Sequence, residues 1–260
     1  MPDRDDTADT ESKALVLEAF TELAPRYAET VDRELRQFWG LSYKDFIHRL
    51  LEAAPTAEGG LILDVATGSA QIPLTLALAP FDGSTVVGLD ITPAMLQAGL
   101  ANVEARGLAS RVRLVCASAM QMPLATGVFD LAICGLATHH MHVPRLLSET
   151  QRILKPGGHL VMADVAAPAH WRSRAGSGLI QIAARLYSLT HRSARTRAEI
   201  AAISNILTSA EWLKTLAELG FVEIEVVAEL KRRRLLSALV RFWRCRSLSV
   251  NAKKCWDLSP

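Results

Sequence analysis

Asp64 and Asp90 each close a short apolar run, at residues 61–63 and 85–89, and between them stands a turn of small residues, Ala66-Thr67-Gly68-Ser69-Ala70. Apolar runs of this length bounded by turn residues read as buried strands, and residues 71–79 read as the helix that joins them. Such a unit brings both acids to the carboxyl edge of a parallel sheet, where open α/β folds bind their ligands. An acid ending the second strand can accept hydrogen bonds from ribose hydroxyls. Small residues in the turn let backbone approach a ligand closely. The chemistry to expect is the holding of a nucleoside-containing cofactor.

A dinucleotide turn needs glycine at the three marked positions of G-x-G-x-x-G. Laid over Ala66, Gly68 and Gln71, only the middle one is present. An acid at Asp64 would also repel a pyrophosphate, whereas it suits a ligand carrying an ammonium and a sulfonium. Five motifs in order then carry a resemblance. DVATGSA at 64–70 is similar to D-x-G-x-G-x-G, with Ala66 and Ala70 replacing two glycines, and GLDITPAML at 88–96 supplies the second motif. ASAMQMPL at 117–124 resembles G-D-A-x-x-L-P-F with Ser118 where Asp is usual. FDLAICG at 129–135 and RILKPGGHLVMAD at 152–164 complete the set. Over residues 60–165 the chain resembles the class I S-adenosylmethionine-dependent methyltransferases.

The resemblance implies a Rossmann-like three-layer α/β sandwich with a seven-stranded, mostly parallel sheet whose last strand is antiparallel. It implies S-adenosyl-L-methionine as cofactor, with Ala66, Thr67 and Gly68 forming the turn beneath it and Gly135 at the end of the fourth strand close by. Asp64 is expected to reach the amino group and Asp90 the ribose hydroxyls. Ile91 and Met95 would flank the adenine, although Met95 at helical spacing also suits a core position. Ser118, Ala119 and Met120 would line its far edge. FTELAPRY at 20–27 resembles the start of ubiquinone/menaquinone-type C-methyltransferases, with Ala28 where an acid is common. Tyr27 there reads either as a lid over the methyl group or as a core tyrosine.

Methyl transfer from a sulfonium requires a positioned nucleophile and, where needed, removal of its proton. His139, His140 and His142 follow the fourth strand. His140, then His139, are the candidates for a general base, the alternative being a pairing with a neighbouring loop. Asp164, ending the fifth strand, reads as a third catalytic candidate or as a strand terminator. No carboxylate shares the spacing of the histidines, so no metal is expected.

The remaining elements position these groups. Residues 1–12 are charged and read as a disordered tail, and 13–55 carry helical periodicity as a lid over the 60–165 core. Helices are expected at 93–106, 143–154, 176–189, 197–207 and 209–219, and strands at 112–116, 129–134, 160–165 and 221–230. Residues 236–246 read as a seventh, antiparallel strand or as a basic amphipathic helix on lipid, and 247–260 as a loose tail. One domain thus spans 13–246. Residues 166–208 form a substrate-lid insertion mixing Trp171, Leu179, Ile182, Leu186 and Tyr187 with six arginines. An apolar pocket rimmed by arginine would suit a quinol, phenol or lipid-like acceptor.

Half of the 260 residues are apolar, yet no run is long enough to span a membrane and the polar, acidic start is unlike a signal peptide. Cys116, Cys134, Cys245 and Cys255 lack metal spacing, and the first two read as reduced core thiols. A cytoplasmic setting is expected. Residues 1–150 hold 11 Lys and Arg against 19 Asp and Glu, and residues 151–260 hold 18 against 8. The basic end is a solvated face or a peripheral contact with anionic membrane. That contact would suit an alternative activity, methylation of phospholipid head-group amines. Nucleic acid is not expected as a partner, because neither an N-P-P-Y motif nor a basic–aromatic repeat is present.

Overall fold

A computed structural model describes residues 4–55, 59–77, 81, 83–226 and 246–254. Strands β1 (Leu61–Val65), β2 (Thr85–Asp90), β3 (Val112–Cys116), β4 (Phe129–Gly135) and β5 (Leu154–Ala166) form a parallel block in the order β3-β2-β1-β4-β5. β6 (Phe221–Val226) does not pair with this block. It pairs with β7 (Arg246–Lys254), which runs antiparallel between it and β5, from His159 opposite Lys253 to Ala166 opposite Arg246. The fold is α/β and Rossmann-like, with its strand order reversing between β1 and β4. That switch point is where a crevice opens.

Consecutive strand residues are apolar on both parities because both faces are covered. Leu63, Val65, Leu89 and Cys134 pack against Leu146 and Leu147 of α6 (Val143–Ile153) and Trp212 and Leu216 of α9 (Ser209–Glu218). Ile62, Val86, Leu131 and Ile133 pack on the opposite side. There they meet Leu35 of α2 (Tyr27–Trp39), Phe46 and Leu50 of α3 (Tyr43–Glu52), Leu74 of α4 (Gln71–Leu76) and Val103 of α5 (Pro93–Ala105). Capping boxes start α3, through Ser42 and Asp45, and α9, through Thr208 and Glu211. No helix among the described residues is long and apolar enough to cross a membrane.

Three expectations change. The first twelve residues are not a disordered tail from Arg4 on, because α1 runs from Arg4 to Leu23. Its opening turns are acidic in sequence, which the helix dipole favours, and propagation from a packed helix costs little. The last strand is Arg246–Lys254, inside the segment read as a loose tail, so the domain extends past residue 246. Its sequence, RSLSVNAKK, alternates with only two large aliphatic residues, and it pairs on both sides, with β5 and with β6. Residues 236–245, read as that strand, lie outside the described residues, as do 231–234. Cys116 is exposed, while Cys134 is buried as expected.

Candidate active site

The turn after β1 is bound to β2 by its backbone. Thr67 N–H donates to the Leu89 carbonyl at 3.0 Å and Gly68 N–H to Asp90 Oδ2 at 2.9 Å, while Thr92 N–H donates to Asp90 Oδ1 at 2.8 Å. The turn can lie this close because Gly88 has no side chain: a Cβ there would sit 2.7 Å from Thr67 Oγ1. Ala66 and Ala70 adopt φ of 57° and 63°, the left-handed values that the replaced glycines would have favoured. The turn therefore keeps a glycine geometry at a cost of about 1–2 kcal/mol per alanine. Ala66→Gly should relieve that strain, less the roughly 0.5–1 kcal/mol of chain entropy that glycine loses. Thermal unfolding should show a rise of a few degrees, and a fall would mean that the turn is not strained.

Asp64 is fully buried, and neither carboxylate oxygen has a hydrogen-bond partner. Burial pushes its carboxyl up to about 8, the nearby Thr67 hydroxyl opposing the rise and the charge of Asp90 adding to it. The Thr67 and Ser69 hydroxyls of the same turn are also buried and unpaired. Buried polar groups are normally satisfied, so three orphans around one turn mark a place built for a ligand. Asp90 is likewise raised by burial, an effect opposed by the Thr92 and Gly68 N–H groups.

In front of this turn lies an open cleft. Tyr27, Ala66, Gly68, Asp90, Ile91, Met95, Ser118, Ala119, Met120 and His140 line it, bringing together ten of the residues expected from sequence. Thr67 and Gly135 do not line it. Thr67 packs over Gly88, and Gly135 faces Leu50, Ile72 and Phe46, each 3.2–3.3 Å from where its Cβ would be. The side of Gly135 that a Cβ would occupy is thus a close-packing position beneath α3 and α4. Asp64, His139 and Asp164 also stand outside the lining. Lys13, Val16 and Phe20 of α1, with Leu136 and Met141, line the cleft without having been anticipated. The 13, 16, 20 spacing was the available signal for one helix face.

Tyr27 sits at the joint of α1 and α2, edge-on to Tyr43, whose hydroxyl bonds to it. Burial pushes its phenol up to about 12, so it remains neutral. The N-terminal helices and the 166–208 insertion, separate in sequence, form one cover. Ala19 of α1 packs on Ala194 and Ala198 of α8 (Ala194–Ala202), and Arg197–Glu18 (2.7 Å) and Arg195–Glu34 (2.6 Å) bridge them.

Behind the cleft, Asp164 gathers three donors besides its own neighbour's backbone. The Thr138 hydroxyl and the His139 N–H donate to Oδ2, and His139 Nδ1 lies 2.8 Å from Oδ1. These contacts and the His139 charge hold the Asp164 carboxyl below its usual range despite burial. Burial alone would lower His139, but Asp164 overrides it and raises the imidazole to about 9. His140, its ring tilted by 45° against that of His139 at 4.2 Å and edge-on to Phe20, goes the other way: burial and the neighbouring cation lower it to about 4. Its Nδ1 is buried without a partner. Glu199 of α8 comes within 3.9 Å of both histidines. The carboxylate that sequence spacing lacked is thus supplied from a distant helix, and the three residues have ligand atoms within 4.8 Å of one another. At physiological pH a charged and a neutral imidazole thus stand side by side with a carboxyl group next to both, an arrangement suited to proton movement.

Residues 63–162 match the model of a methyltransferase domain. The chain therefore contains a methyltransferase domain over these residues. Over 161 residues it is 30% identical to the ubiquinone/menaquinone biosynthesis C-methyltransferase of Geotalea daltonii, covering 61% of this chain and 66% of that one. Over 152 residues it is 36% identical to the demethylmenaquinone methyltransferase of Thermus thermophilus, covering 57% and 65%. The matches span just under two thirds of these relatives. Among solved structures, geranyl diphosphate C-methyltransferase from Streptomyces coelicolor superposes with a TM-score of 0.64 at 16% identity over 88% of this chain and 84% of that one. YcgJ from Bacillus subtilis gives 0.64 at 15% identity over 82% and 99%. The cofactor of this family is S-adenosylmethionine, and the residues present fit it: an orphaned buried acid, a glycine-floored turn and a second acid at the end of β2.

Proposed function

We propose that the protein transfers the methyl group of S-adenosylmethionine to a hydroxyl or activated carbon of a hydrophobic small molecule, with a quinol the acceptor that the relatives favour. The observation that carries this reading is His140, a neutral imidazole with an unpaired buried nitrogen at the apolar end of the cleft, beside Phe20, Leu136 and Met141. When bound, the cofactor supplies an electrophilic methyl on a positively charged sulfur.

The chain's own groups do the rest. Asp64 pairs with the cofactor's ammonium, Asp90 accepts from the ribose hydroxyls, and Ser118 meets the adenine edge. Ile91 and Met95 hold the ring, and Tyr27 with Phe20 keeps water from the methyl group. An aromatic hydroxyl placed against His140 loses its proton to the free ring nitrogen as the acceptor carbon or oxygen becomes nucleophilic. The His139 imidazolium favours the acceptor's anionic form and discourages a second charge on His140. The proton therefore passes to Glu199, 3.9 Å from His140 Nε2 and open to solvent. Asp164 keeps His139 oriented and charged.

His140→Ala should lower turnover of a demethylated naphthoquinol by about 10²–10⁴-fold, the usual worth of a positioned base, with cofactor affinity changed only a few-fold. Transfer of a labelled methyl, followed by mass spectrometry, reads this out. Equal turnover in mutant and wild type across pH would remove His140 from the mechanism. The phospholipid head-group alternative has less support, since the curated relatives reported above are named as quinone-pathway methyltransferases. The same assay with phosphoethanolamine lipids tests it.

A further inference from the structure

We propose that the outer face of α7 (Arg174–Thr190) is a docking surface for an anionic lipid bilayer, which the helix meets lying in the plane of the head groups. Leu179, Ile182, Leu186 and Leu189 are 50%, 56%, 62% and 66% exposed. Their spacing of three, four and three residues puts them on one stripe of the helix. The inner face is occupied: Ala184 is buried, and Ile180 packs with Trp171 and Ile206. Single exposed aliphatic residues are ordinary on protein surfaces, but four aligned on one helix are not.

Charge selects the occupant. From Val165 to Ala198 the chain has no acidic residue, and six arginines fall in that span. Arg172, Arg195 and Arg197 are used in ion pairs with Glu211, Glu34 and Glu18. Arg174, Arg185 and Arg192 have no ion-pair partner among the described residues, and on the helix Arg174 and Arg185 fall along one flank of the apolar stripe. A second copy meeting this face about a two-fold axis would bring the same arginines together. Anionic head groups would neutralise them while acyl chains took the stripe. An apolar face beside a cationic, acid-free flank is the pattern of interfacial helices. α7 leads directly into α8, whose Arg195 and Glu199 stand at the cover of the cofactor cleft, so docking would bring that cover to the bilayer. The basic stretch 231–234, where sequence pointed to such a contact, lies outside the described residues. The proposal does not depend on the acceptor's identity.

Co-sedimentation of the full chain with extruded vesicles tests it without catalysis. Vesicles of phosphatidylglycerol and phosphatidylcholine should retain at least about tenfold more protein than phosphatidylcholine alone, with binding reduced several-fold in high salt. Ile182→Glu with Leu186→Glu should cut retention about tenfold while leaving the circular dichroism spectrum and melting temperature close to wild type. Replacing Lys231, Arg232, Arg233 and Arg234 by alanine should leave most of the binding in place. Three results would overturn the proposal: no vesicle binding by the wild type, binding unaffected by the two glutamates, or loss of binding only in the 231–234 variant. A wild-type dimer in light scattering that the glutamates convert to monomer, with no vesicle binding, would assign the stripe to a second copy instead.

Discussion

Asp90→Ala should weaken cofactor binding by about 10²–10³-fold. Two hydrogen bonds from ribose hydroxyls to a carboxylate are each worth about 1.5–3 kcal/mol, and nothing nearby replaces that acceptor. The structure adds a second cost that sequence alone did not show. The same carboxylate accepts the Gly68 and Thr92 N–H groups, so its removal leaves two donors without an acceptor in a buried turn. Each orphaned donor costs about 1–3 kcal/mol. The variant should therefore melt several degrees lower, where a purely ligand-facing acid would leave the fold untouched. Asp90→Asn separates the effects, since its amide oxygen can still serve one of the two N–H groups. It should recover part of the lost stability and little of the affinity. Calorimetry showing wild-type affinity in either variant would refute the cofactor role. Unchanged melting in Asp90→Ala would refute the turn-fastening role.

The alternating elements and the cofactor crevice were legible because they rest on local rules. Buried parallel strands are short apolar runs, and the acids at their ends, Asp64 and Asp90, are conspicuous against them. What sequence did not give depends on pairing across distance. β7 was displaced from 236–246 to Arg246–Lys254 because a strand held between two neighbours needs no strong apolar alternation of its own. The packing role of Gly135 did not show in the sequence because a glycine ending a strand signals close approach without saying from which side, and here a Cβ would meet Leu50, Ile72 and Phe46. Glu199 was invisible as a partner of His139 and His140 because α8 delivers it from another part of the chain. The same packing of α8 on α1 turned two expected lids into one cover and brought Lys13, Val16 and Phe20 to the cleft.

Cofactor affinity should fall about tenfold for each pH unit below 8, and Asp64 is the reason. Its carboxyl, raised to about 8 by burial, is mostly protonated at pH 7 in the free protein. A cationic ammonium beside it selects the ionised form, so binding must expel a proton, and each unit of added acidity makes that tenfold harder. The cofactor's own α-amino group begins to lose its charge near pH 8, so affinity should peak around there. Titration calorimetry at pH 7 in buffers of different ionisation enthalpy should report close to one proton released. Asp64→Asn should bind weakly, release no proton and show a flat profile between pH 6 and 8. The sign for stability is opposite to that of a salt-bridged acid. A folded carboxyl raised above its unfolded value favours folding less as pH climbs from about 4 towards 8, because only the unfolded chain ionises freely. Asp64→Asn should therefore melt higher than wild type at pH 8 while having lost its ligand, a combination that general damage to the fold cannot produce. A wild-type affinity that stays level from pH 6 to 8, with no proton released, would mean that this buried acid does not meet the ammonium.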